Sequence, residues 1–165
     1  MKTPCLVLVL ALAPWTAAFA QAAKGTLVIV RGGGTTQAIV SRTLALAGGK
    51  DAVVAVLPQS SAVADAGDSS VKMWLDAGAK SARKVRFEEP DAKQSLESAT
   101  LIWMPGGDQN RLMAAIEGTG LDEVIRAQYR NGTVVGGTSA GAAVLAEFMM
   151  TGDADLKSLA AGRPR

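Results

Sequence analysis

Gly137-Thr138-Ser139-Ala140-Gly141 has the spacing of a serine nucleophile turn, in a chain that contains no histidine. A hydroxyl attacks poorly at neutral pH unless a neighbouring base takes its proton. Histidine held by a carboxylate most often does that work. The motif therefore offers acyl transfer and withholds the usual base. Glycines on either side of the serine let a strand and a helix approach without side-chain clash, the geometry of a nucleophile elbow. The N–H of Ala140 would then face a tetrahedral oxyanion, and the start of a helix would add partial positive charge. Serine is also a favoured helix N-cap. A bare match leaves that capping role open, and a position between a strand and a helix favours the nucleophile.

A second glycine-rich turn, Gly106-Gly107-Asp108-Gln109, offers another backbone donor for the oxyanion. It also reads as a tight strand-to-helix connection with Asp108 as N-cap, and the two readings are compatible. Gly32-Gly33-Gly34 invites a nucleotide-binding interpretation but fails the dinucleotide fingerprint, because Gln37 stands where the third glycine belongs. No Gly-Lys-Ser/Thr phosphate loop is present either. Close backbone packing is the expected reason for these three glycines. Arg31 beside them reads either as an aid to an anionic substrate or as a solvated strand end, with the solvated end favoured.

The only cysteine is Cys5. With neither histidine nor a further cysteine, the common zinc ligand sets are excluded, and no metal or cofactor is expected. Lys157 is the only lysine after Ser139. It falls on a polar, poorly patterned tail and reads as solvated rather than as a Ser-Lys base. Glu147 reads as surface charge.

These residues need elements to hold them. Leu27–Val30, Ala52–Leu57, Thr100–Met104 and Thr133–Val135 are short apolar runs expected to form strands, the first of them covered on both faces. Val85-Arg86-Phe87 is expected to add a shorter one. Helices are expected over Gln37–Leu46, Ser60–Ala77 with a weak point at Gly67, Gln109–Glu117, the segment from Leu121, and Ala140–Met150. In the helix from Leu121, the residues Leu121, Val124 and Ile125 share one face. Strands alternating with helices imply an open, mostly parallel sheet with helices on both faces. Chemistry in such sheets sits at the carboxyl ends of the strands. The turns at Pro105-Gly106-Gly107 and at Gly136-Gly137 are both expected there.

At 165 residues, 48% of them hydrophobic, the chain suits one cored domain rather than two or a disordered polymer. Met1-Lys2-Thr3, the apolar Leu6–Leu12 and Ala18-Phe19-Ala20 fit a Sec-type signal peptide over 1–20, cleaved before Gln21. The expected location is periplasmic or extracellular, with no membrane association after cleavage. Removing Lys2 takes the net charge from +2 to +1, which gives no reason to expect nucleic acid as partner. The α/β domain is expected over 24–153 and a non-matching tail over 154–165.

Ile102-Trp103-Met104-Pro105-Gly106-Gly107-Asp108-Gln109-Asn110-Arg111-Leu112, followed by Gly136-Gly137-Thr138-Ser139-Ala140-Gly141-Ala142-Ala143, resembles the cyanophycinase family, serine peptidases of group S51 with a class I glutamine amidotransferase-like fold. The resemblance runs from about Gly25 to Asp153. It implies hydrolysis of cyanophycin, a poly-aspartate backbone bearing arginine, to β-Asp-Arg dipeptides, so a peptide or polymer is the expected partner. A homodimer is compatible with it. It makes Ser139 the nucleophile, gives Gly107 and Ala140 the oxyanion-hole N–H groups, and sets Gln109, with Asp108 beside it, near the substrate pocket. The family's histidine follows the serine in an Asp-Gln-His-type segment that has no counterpart here. The expectation is therefore the N-terminal portion of such a peptidase, inactive as this chain. A non-catalytic exported binding protein for Asp-containing peptides and a secreted esterase are the alternatives.

Overall fold

Five apolar runs pair side by side in one parallel sheet: β1 (Thr26–Val30), β2 (Val53–Val56), β3 (Ser81–Lys84), β4 (Leu101–Met104) and β5 (Val134–Thr138). The structure, a computed structural model, describes residues 22–151. The signal segment 1–20, the tail 154–165 and Lys157 lie outside the described residues. The strand order is β1-β5-β4-β2-β3. The helices are α1 (Gln37–Leu46), α2 (Asp68–Asp76), α3 (Ala92–Ser98), α4 (Gln109–Ile116), α5 (Leu121–Asn131) and α6 (Ala140–Ala143). Among the described residues, no helix is long and apolar enough to cross a membrane.

Side chains alternate across the sheet and build two cores. Val54, Val56, Leu101 and Trp103 face one way and pack with Val40 and Leu44 of α1 and Trp74 of α2. Trp74 meets Trp103 edge to face, with ring centroids 5.1 Å apart. Ala55, Ile102, Met104 and Val135 face the other way, against Leu96 of α3, Leu112 of α4 and Leu121 of α5. The connections leaving β1 and β2 thus cover one face, and those leaving β3 and β4 cover the other.

Several expectations need correction. β1 is covered on one face only: Val28 and Val30 pack against α1, whereas Leu27 and Ile29 remain 42% and 63% exposed. The layer of α3, α4 and α5 does not reach over this edge strand. The helix expected from Ser60 starts instead at Asp68, because Gly67 adopts φ 87° and breaks any earlier continuation. β3 precedes the expected Val85–Phe87; those residues follow its end, with the Val85 N–H donating to the Val56 carbonyl at 2.8 Å. α3 went unread. β5 runs through Gly136 and Gly137 to Thr138, so these glycines belong to a strand rather than to a turn. α6 spans four residues rather than reaching Met150. Helix growth past the first turn depends on burying an apolar face, and Phe148 and Met150 remain 79% and 62% exposed.

Candidate active site

Ser139 lies where β5 turns into α6, at φ 54° and ψ −117°. Among the described residues it is the only non-glycine with positive φ. Such a conformation costs on the order of 1–3 kcal/mol and persists only where the surroundings impose it. Here they do. The Ser139 N–H donates to the Val30 carbonyl at 3.1 Å. Its own carbonyl accepts from Ala142 and Ala143, at 3.0 and 2.9 Å. A Cβ on Gly141 would run into the Met104 carbonyl, and one on Gly137 would run into the backbone of Gly141. Strand and helix therefore cross backbone to backbone, and the serine between them is left exposed.

β4 delivers the neighbouring turn. A Cβ built on Gly106 would stand 3.3 Å from Ser139 Cβ and 3.8 Å from its Oγ, so the Pro105–Asp108 turn borders the serine directly. Gly107 adopts φ 145°, and a side chain there would strike the Ser60 carbonyl. Ser60, 2% exposed in the 3-10 turn after β2, ties this region down. Its Oγ donates to the Gly106 carbonyl at 2.8 Å and lies 3.2 Å from that of Pro105. Its carbonyl accepts the Asp108 N–H at 2.8 Å. Ser60 was not singled out from the sequence. The glycine signal that marks the other turns is absent around Ser60, and its partners lie 45 and 46 residues away in sequence.

Ala140 follows Ser139 directly, and Gly107 follows Gly106, the glycine that borders the serine. Among the described residues, neither N–H donates to a loop carbonyl or to a side chain. Asp108 caps α4: its Oδ1 accepts from Asn110 at 2.8 Å and from Arg111 at 3.3 Å. Gln109 Nε2 donates to the Met150 carbonyl at 3.0 Å, and Asn110 Nδ2 to that of Thr151 at 2.9 Å. These two bonds fasten the start of α4 to the chain that follows α6. The four-residue α6 contributes less partial charge to the site than the long helix expected over 140–150.

Gly32-Gly33-Gly34 lies on the other side of the serine, since β1 neighbours β5 and Val30 pairs with Thr138. Close packing does not explain these glycines. No heavy atom lies within 4 Å of a Cβ built on any of them. Gly33 and Gly34 are required instead by their φ values of 112° and 97°.

No histidine exists to accept the serine proton. The shifted titratable groups lie at the far edge of the sheet. A hydrogen bond to Arg83 holds the Asp91 carboxyl below its usual range, and the same bond raises Arg83. A mostly apolar cavity of about 410 Å³ lies between the sheet, α4 and α5, with Leu57, Met104, Leu112, Ile125 and Val135 in its walls. Ser139, Gly107, Asp108 and Gln109 do not line it, so the serine turn lies outside this groove.

Residues 27–160 match the family described as peptidase family S51. The cyanophycinase of Geminocystis herdmanii strain PCC 6308 is 38% identical over 122 residues, covering 69% of this chain and 45% of that protein. The cyanophycinase of Nostoc sp. strain PCC 7120 is 31% identical over 144 residues, covering 80% and 48% respectively. The chain thus spans about half the length of these curated relatives. A solved peptidase from an acI-B1 Actinobacterium superposes with a TM-score of 0.64 at 20% identity, over 76% of this chain and 58% of that one. That likeness establishes the shared parallel α/β fold.

Proposed function

The chain belongs to peptidase family S51, and from that premise we propose that it carries the nucleophile side of a cyanophycinase-type serine peptidase, hydrolysing cyanophycin to β-Asp-Arg dipeptides. The observation that carries this reading is the exposed Ser139 at φ 54°, between β5 and α6 and bordered by Gly106. Ser139 Oγ adds to the carbonyl carbon of the scissile amide, and the two N–H groups stabilise the resulting oxyanion. The leaving amine takes a proton, the acyl-enzyme forms, and water releases the product. The turn is thus a nucleophile elbow whose strain keeps the hydroxyl above the sheet.

The base is not supplied by this chain, which has no histidine. It comes from polypeptide corresponding to the part of the relatives that this chain does not span. An exported protein, periplasmic or extracellular, suits the Sec-type pattern over 1–20 and a polymer that must be cut before uptake.

The test replaces the matching portion of the Geminocystis herdmanii cyanophycinase with residues 25–151 of this chain and measures dipeptide release. The fusion is expected to be active, and Ser139→Ala is expected to lower its rate by about 10⁴-fold or more. The 165-residue chain alone is expected to release little. Equal Ser139-dependent release by both would overturn the account of the base. Release that ignores Ser139→Ala would overturn the account of the nucleophile.

A further inference from the structure

Besides the β2–β3 pair at the far edge, the carboxyl end of the sheet has two places where adjacent strands send their connections to opposite faces. Crevices form at such points and hold ligands in open parallel sheets. One lies between β2, which leads towards α2, and β4, which leads into α4. Ser60 fills it, bonded to Gly106 and Asp108. The other lies between β1, which leads into α1, and β5, whose chain continues through α6 to Val144 and Leu145 on the opposite core. Among the described residues, no heavy atom lies within 4 Å of a Cβ built on Gly32, Gly33 or Gly34, which follow β1 at this point.

Arg31 follows β1 at the register position of Ser139. Val30 is the last residue of β1 to pair, with Thr138, so Arg31 is the next residue on one side and Ser139 the next on the other. The Ser139 N–H bonds the carbonyl of Val30, to which Arg31 is joined. The guanidinium is exposed, and among the described residues no carboxylate pairs with it. Asp108, the acid on the opposite side of the serine, is engaged in capping α4. A cation beside a nucleophile, unpaired within its own protein, is complementary to an anionic group on the substrate. Its fork of donors matches a carboxylate.

We infer that Arg31 is a specificity-determining residue, binding a carboxylate of an acidic peptide laid across the β1–β5 crevice. The inference rests on the proposed acyl transfer for its setting, yet it concerns recognition, which Ser139 chemistry does not have to reveal. Gly33 and Gly34 keep this side of the crevice free of side chains, so a peptide backbone can approach.

The test titrates the 165-residue chain by NMR with N-acetyl tri-aspartate amide and with its tri-asparagine counterpart, at low ionic strength. The acidic peptide is expected to bind at least about tenfold more tightly. Arg31→Gln should bring the ratio close to one, and Arg31→Lys should restore part of it, as a point charge without the fork. A ratio unchanged in Arg31→Gln would overturn the inference, as would equal or undetectable binding of both peptides to the unaltered chain. Catalysis is read separately in the fusion. Lost Ser139-dependent turnover with an Arg31-dependent preference intact would sink acyl transfer alone. Intact turnover with no such preference would sink the role of Arg31 alone.

Discussion

Two glycine-rich turns flank Ser139, and they use their glycines in opposite ways. The β4 turn is fastened. Ser60 bonds it twice, Gly107 is pressed against the Ser60 carbonyl, and Asp108 caps the helix that follows. The β1 turn is open. Gly33 and Gly34 are set by backbone angle alone, with nothing packed against them. One side of the serine is thus built to hold a donor in place, as an oxyanion site requires. The other is built to leave room.

The contrast predicts a graded response to added or removed atoms. Gly141→Ala should be the most damaging, because its methyl meets the Met104 backbone where strand and helix cross. A loss of about 3 kcal/mol, the upper end for overpacking, is expected in urea unfolding. Ser60→Ala, which unfastens the β4 turn, should cost about 1–3 kcal/mol by leaving buried groups without partners. In the fusion it should also lower turnover more than substrate affinity. Gly33→Ala should cost about 1 kcal/mol from its φ alone, and Gly32→Ala, with neither positive φ nor a neighbour, close to nothing. Arg31→Gln should change stability by less than about 0.5 kcal/mol, its effect appearing only in peptide preference. If Gly33→Ala proved more destabilising than Ser60→Ala, the distinction between a fastened and an open side would fail.

Much of this contrast was hidden in the sequence, for physical reasons. Glycine looks the same whether it avoids a clash or adopts a positive φ, so Gly32–Gly34 were read as packed when they are not. The Gly136-Gly137 pair resembles a turn but lies within β5, where the missing side chain of Gly136 admits Val28 and Trp103 from neighbouring strands, within 2.9 and 3.0 Å of a built Cβ. The strand-turn-helix setting of Ser139 was legible because apolar runs and glycine spacing are local signals. Ser60 was not, because its importance comes from a contact 46 residues away in sequence. α3 escaped because its two buried residues, Ala92 and Leu96, are too few to show a helical period. The short α6 reflects a property that sequence periodicity does not carry, namely whether anything covers Phe148 and Met150.

The most direct measurement treats the fusion with a phosphonate ester of an aspartyl peptide and locates the adduct by mass spectrometry. The account predicts one adduct, on Ser139, forming together with the loss of dipeptide release and absent from Ser139→Ala. An adduct on another residue that abolishes release, with Ser139 unmodified, would contradict it.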